Sequence, residues 1–187
     1  MKLTDYSSAK NLEECYAIQQ ATWNSEHSVH RNNCLIDFAK QSDTIMEIGV
    51  NQGSSLMIMA MQNPKSIIGV DITFENFNLR EKIEDYCSRH SIKTEFVEAS
   101  STNPSTIRDV EMLHIDGLHH PKHVAKELSI HASHVSKFIA FHDINLGSGR
   151  VSLWAGAIKP FLKNNSQWET LVYYDKGKCG NAVIGRK

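Results

Sequence analysis

The chain has 187 residues, 20 of them Lys or Arg and 21 Asp or Glu, for a net charge of -1. At roughly 100–200 residues per domain this is one domain with enough chain to bury its own core, and 41 % hydrophobic with 22 % charged residues is ordinary globular composition. The balanced charge lacks the basic excess needed to track nucleic-acid phosphates, and no apolar run approaches the ~18 residues of a membrane span.

The opening MKLTDYSSAKNLEECY is too polar for a signal peptide. Leu12, Cys15, Tyr16, Ile18 and Gln19, then Leu35, Ile36, Phe38 and Ala39, fall near helical spacing. The polar run TWNSEHSVHRNN (22–33) between them reads as a loop or mobile segment, with Trp23 either lining an acceptor pocket or, the favoured reading, packing a helix. Residues 1–43 are therefore expected as a helical cap on a domain of residues 44–187. From residue 44, short apolar runs alternate with helical stretches. Strands are expected at 44–50, 66–72, 93–99, 111–116 and 137–143. Helices are expected at 53–62, around 75–90, briefly after Pro104, from Pro121, and over 151–164 with an interruption at Pro160. Strands at 168–174 and 180–186 are joined by the turn-like DKGKC. Near-continuous apolar strands separated by helices predict an α/β, Rossmann-like three-layer sandwich with a mostly parallel sheet. The closing pair is too close for a helical crossover and predicts an antiparallel hairpin at one edge. Cys15, Cys34, Cys87 and Cys179 form no C-x-x-C and read as reduced thiols of a cytoplasmic protein, with no zinc cage.

In such a sheet, ligands bind beyond the C-terminal ends of the strands. The first strand ends in EIGVNQGSS, where Gly49 and Gly53 allow a tight turn and close approach to a ligand, ahead of a helix N-terminus. The loop is neither G-x-x-x-x-G-K-[ST] nor G-x-G-x-x-G, which disfavours a P-loop or a dinucleotide site. The second strand ends at Asp71, whose carboxylate can accept two hydrogen bonds from ribose hydroxyls or cap a helix. Ser100 and Ser101 follow the third strand and either face an adenine edge or cap the next helix. The fourth strand ends in LHIDGLHHPKH and the fifth in FIAFHDIN, so Asp116, His119, His142 and Asp143 should meet at one rim. Two carboxylates and two imidazoles suit a divalent metal or form a hydrogen-bonded polar rim. Seven of the ten histidines lie between His114 and His142. His114 reads as a core residue inside a strand, and His131 and His134 as surface or partly buried helix residues. The N-terminal forty residues and NLGSGR (145–150), with Gly147, Gly149 and Arg150, read as the acceptor wall, the latter flexible or simply a solvated loop.

These residues carry a resemblance. EIGVNQG, IDGLH and FHD match the pattern Glu-x-Gly-x-x-x-Gly, Ile-Asp-Gly-x-His, Phe-His-Asp, and residues 44–187 resemble a small branch of the class I S-adenosylmethionine-dependent methyltransferases. Cephalosporin-biosynthesis and macrolide-sugar methyltransferases have related architecture. The resemblance implies a seven-stranded sheet with the last strand antiparallel. It implies that Glu47, Gly49, Val50, Asn51 and Gly53 shape the methionine side of the cofactor pocket. Asp71 and Ile72 would meet the ribose, Ser100 and Ser101 the adenine, and Asp116 the cofactor as well. Asp116 and Asp143, with His142, would hold magnesium or another divalent metal. His119 would be the general base, with Asp116 and His142 sharing the catalytic rim. Two departures stand out: Pro121 occupies a position that is often aromatic, and the neighbours of Asp143 are His142 and Ile144.

The reading is an O-methyltransferase acting on a small hydroxylated molecule, a sugar or a catechol-like compound, without nucleic-acid or membrane partners. The oligomeric state stays open, a homo-oligomer included. The competing readings are a cofactor-binding protein without methyl transfer and an enzyme cleaving the sulfonium.

Overall fold

The computed structural model describes residues 4–148, 151–176 and 179–187. Helix α1 (Leu12–Thr22) starts at Asn11, whose side chain accepts from the Glu14 N–H, with Glu13 and Glu14 in the positive first turn. Helix α2 (Glu26–Ala39) starts at Ser25, whose hydroxyl accepts from the Ser28 N–H. The segment expected as a loop at 22–33 is thus mostly helix. Its buried face is Ser28, Arg31, Asn32, Leu35 and Ala39, which has helical spacing but is polar over its first half. A reading based on apolar periodicity does not register such a face.

The strands are β1 (Thr44–Ile48), β2 (Ser66–Asp71), β3 (Lys93–Glu98), β4 (Val110–Ile115), β5 (Val135–His142), β6 (Trp168–Tyr174) and β7 (Asn181–Arg186). They form one seven-stranded sheet in the order β3-β2-β1-β4-β5-β7-β6. β1 to β5 pair in parallel, while β7 runs antiparallel to both β5 and β6. The closing hairpin is therefore real, and β7 inserts beside β5, leaving β6 at the edge. Between the strands lie α3 (Ser54–Ala60), α4 (Arg80–Arg89), α5 (Pro121–His131) and α6 (Lys159–Asn164). Pro121 opens α5, where its missing N–H costs nothing. The expected helix at 151–164 is divided into a ribbon residue pair at Val151–Ser152, a π-helical turn at Trp154–Ile158, and α6 with Pro160 in its first turn.

The sheet is covered on both faces. Leu12, Leu35, Met57 and Ile83 bring α1 to α4 into one core with Ile45 and Ile67. Val124, Leu128 and Ile158 bring α5 and the π turn into a second core with Met46, Leu113 and Phe141. Residues 4–43 share the first core with the sheet. Among the described residues, no helix is long and apolar enough to cross a membrane.

Candidate active site

The chain leaves β1 toward β2 on one side and later returns to β4 on the other, so a crevice opens at the C-terminal ends of β1 and β4. After β1 the backbone takes left-handed conformations at Gly49 (φ +88°), Asn51 (φ +46°) and Gly53 (φ +90°). A Cβ on Gly49 would sit 2.4 Å from the Asp116 carbonyl oxygen, so the loop passes against the end of β4 where a side chain has no room. The Asn51 N–H donates to Asp71 Oδ2 at 2.9 Å and the Ile72 N–H to Asp71 Oδ1 at 2.7 Å. The carboxylate ending β2 is thereby tied to the loop ending β1. Gly49, Val50, Asn51, Asp71 and Ile72 line one end of a cavity of about 480 Å³.

At the other end of this cavity stand Asp116, His119, His142 and Asp143. The β4–β5 register, with Ile115 beside Phe141, delivers the rim residues from adjacent strands. His119 Nε2 lies 3.3 Å from Asp116 Oδ1 and 3.4 Å from Asp143 Oδ2. His142 Nδ1 lies 3.0 Å from Asp116 Oδ1, and its Nε2 lies 3.5 Å from Asp143 Oδ1. Asp143 is itself left-handed at φ +54°, uncommon for a residue with a side chain. One ligand atom each from Asp116, His142 and Asp143 falls within 4.8 Å of the others. Burial pushes the Asp116 carboxyl up, but His142 and then His119 outweigh it and hold the group far below the usual carboxylate range. Burial opposes the His119 imidazolium, but Asp116 and Asp143 outweigh that and raise its pKa.

The other expected residues lie elsewhere. Glu47 is fully buried and off the cavity wall, where Ser55 Oγ donates to it and His114 Nδ1 lies 2.8 Å from its Oε1. It ties the end of β1 to the first turn of α3 and to β4, and burial pushes its carboxyl up against the opposing pull of His114. His114 is the core histidine expected. Gly53 packs against Phe77, which a Cβ would meet at 2.5 Å. Ser100 is exposed beside Thr102, and the Ser101 hydroxyl is taken by Glu127 and His123. Neither serine lines the cavity, and neither caps a helix: Asn103 caps the short 3-10 turn at Pro104–Thr106. His131 is fully buried rather than at the surface, because its Nε2 reaches the Ser101 carbonyl at 2.8 Å. His134 meets Asp109 at 2.8 Å. Gly147 belongs to a two-residue ribbon with Ser152, while Gly149 and Arg150 lie outside the described residues.

Three residues of the supposed loop at 22–33 belong to the site. Trp23 and Arg31 line the cavity, so Trp23 does more than pack. His27 stacks on His142 with ring centres 6.0 Å apart, and both its ring nitrogens are buried without a hydrogen-bond partner. The signal that could have found them is the helix start: Ser25 ahead of an acidic first-turn residue, Glu26.

The family model for rhamnosyl O-methyltransferase/CmcI matches residues 29–168, well over half of the chain. No curated protein sequence matches the chain significantly. Among solved structures, a methyltransferase from Geobacter sulfurreducens aligns with a TM-score of 0.62 and 14 % identity over 96 % of this chain and 89 % of that one. The magnesium protoporphyrin IX methyltransferase ChlM from Synechocystis PCC 6803, with bound SAH, gives a TM-score of 0.61 and 12 % identity over 86 % of this chain and 84 % of that one. The N-terminal domain of EvdMO1, crystallised in the presence of SAH and D-fucose, gives 0.57 and 17 % identity over 87 % and 84 %. At these identities the likeness is one of fold.

Proposed function

Because the chain belongs to the rhamnosyl O-methyltransferase/CmcI family and is an S-adenosylmethionine-dependent methyltransferase, we propose that it methylates a hydroxyl of a small, sugar-like molecule. In this reading His119 takes the proton, and a divalent cation at Asp116, His142 and Asp143 assists. What carries the reading is one continuous cavity, running from Asp71 beside the glycine loop to His119 between two carboxylates. The family description, and the D-fucose present with EvdMO1, favour a sugar hydroxyl over a phenol.

S-adenosylmethionine supplies the electrophilic methyl of an in-line displacement. The protein's share is alignment and proton removal. Alignment contributes up to about 7–11 kcal/mol in the best intramolecular models, and a positioned base typically ~100- to 10,000-fold. Asp71 keeps spare lone pairs for ribose hydroxyls beyond those its backbone donors use. Ile72 and Leu118, 74 % and 61 % exposed, give the cavity wall apolar surface suited to a base ring. Neutral His119 accepts the hydroxyl proton, and Asp116 and Asp143 stabilise the imidazolium that results.

The rim fits a metal on its own chemistry. Asp143 Oδ1 is buried without a hydrogen-bond partner, with His142 Nε2 standing off at 3.5 Å, an arrangement that a bound cation would satisfy. Carboxylate oxygens suit magnesium or manganese, and the imidazole of His142 extends the range to iron and zinc. A cation held there would orient the acceptor hydroxyl and lower its pKa.

Calorimetric titration with S-adenosylmethionine, followed by mass analysis of products from a panel of hydroxylated acceptors, tests the function. Binding is expected, with S-adenosylhomocysteine and an acceptor heavier by one methyl as products. No binding at high micromolar cofactor removes the reading, and a different cofactor product replaces methyl transfer with sulfonium cleavage. His119→Gln should lower kcat ~100- to 10,000-fold while cofactor affinity holds. Turnover unchanged by chelator, by Asp116→Asn and by Asp143→Asn makes the rim a metal-free site.

A further inference from the structure

Arg31 is 7 % exposed and lies on the cavity wall. Its Nε and Nη2 donate to Asn32 Oδ1 at 3.3 and 3.0 Å, and its guanidinium sits 5.4 Å from the centre of the Trp23 ring. These contacts hold the side chain without neutralising it. Among the described residues no carboxylate pairs with Arg31, and its Nη1 has no protein partner. Arg80, Arg89 and Arg108 differ: all three are more exposed, and each pairs with a carboxylate. A guanidinium stays charged in any protein, and a buried charge without a counter-ion is costly unless a ligand brings one.

The position is specific. Trp23 Nε1 donates to Thr4 Oγ1 at 2.7 Å, the Thr4 N–H reaches Gln52 Oε1 at 3.2 Å, and the Tyr6 hydroxyl lies 2.9 Å from Ser54 Oγ. The N-terminal segment and α1 thus clamp the glycine loop on the side where Arg31 stands. The charge of Arg31 is felt by Tyr6 on that side and by His27 and Cys179 toward the rim. The cavity therefore carries one fixed positive group facing a rim with two carboxylates. An anionic ligand group is attracted to Arg31.

We infer that Arg31 forms a carboxylate-binding subsite in this cavity, its planar fork turned to an acid group of the bound molecules. The inference rests on the reading of the cavity as the S-adenosylmethionine site. Two sources offer that chemistry: the α-carboxylate at the amino-acid end of the cofactor, and an acid group on the acceptor. Ser54 and Ser55 share the wall with Arg31, which makes the cofactor the expected source.

The test compares wild type, Arg31→Gln and Arg31→Lys by calorimetry with two ligands. One is S-adenosylhomocysteine; the other is 5′-methylthioadenosine, which keeps the adenosyl thioether and lacks the carboxylate. Arg31→Gln should weaken the first about 10- to 100-fold and leave the second within about twofold. Arg31→Lys, which keeps the charge and loses the fork, should fall between. Equal weakening of both ligands, with a lower thermal midpoint in both variants, makes Arg31 a packing partner of Trp23 and overturns the inference. Where S-adenosylhomocysteine binds all three proteins equally, the complexes are titrated with D-glucuronate and D-glucose. Loss of glucuronate alone in Arg31→Gln assigns the carboxylate to the acceptor, and no selective loss overturns the subsite. If wild type binds neither nucleoside, the cofactor reading itself fails, a result distinct from binding without discrimination.

Discussion

At Gly49 the constraint is steric and local. A left-handed φ and a backbone oxygen 2.4 Å from any Cβ leave no rotamer or small shift by which a side chain could be accommodated. Gly49→Ala should destabilise the fold by about 1–3 kcal/mol through backbone strain and push the loop off the end of β4. S-adenosylhomocysteine affinity should fall at least tenfold with it. A variant with wild-type thermal midpoint and wild-type affinity would show that the loop tolerates a Cβ, and the close approach would lose its significance. The histidines teach the complementary lesson, since residue type says little without surroundings. His114 is paired with Glu47 in the core, His123 is held by Ser101 and Glu127, and His131 is buried under the loop after β3. His119 and His142 are the two of this group that line the cavity.

Between elements, the pairing of β1 with β4 sets Glu47 opposite His114, two buried polar side chains crossing one strand boundary. Their contact fixes which residues emerge beyond the strand ends, because a one-residue slip would turn every side chain to the other face. His114→Leu leaves Glu47 buried with only the Ser55 hydroxyl and should cost about 3–5 kcal/mol, whereas replacing both by leucine should recover much of the loss. Urea unfolding of both single variants and the double variant measures this. If the single effects add to within about 0.5 kcal/mol, the pair is energetically inert. Helix α2 shows a related principle. Its first half buries Ser28, Arg31 and Asn32, so that half is held by its Ser25 cap and by polar contacts, while Leu35 and Ala39 anchor the second half in the core.

Across the whole molecule the cavity is a joint product of distant segments, from Trp23 and Arg31 near the start to His142 and Asp143 in the second half. A ligand filling it bridges α2, the loop after β1 and the ends of β4 and β5, and so binds only the folded chain. S-adenosylhomocysteine at 100 times its Kd should stabilise the protein by about 2.7 kcal/mol, which raises Tm by about 5–10 °C for a chain of this size. An unshifted midpoint under those conditions would mean that the ligand does not engage the folded cavity.

The alternation of apolar runs and helical stretches was enough to define the α/β class, the parallel run β1 to β5 and the antiparallel closing pair, because strand and helix periods are local properties of the chain. The positions of Gly49, Asp71, Asp116 and Asp143 at strand ends were legible for the same reason. The folded chain alone decided that Glu47 is spent on Ser55 and His114 in the core, that Ser101 is spent on Glu127 and His123, and that a polar stretch near the N-terminus becomes a helix lending His27 and Arg31 to the site, with Trp23 from the end of α1. Those outcomes depend on which buried polar group meets which partner across tens of residues, and linear spacing carries no information about such meetings.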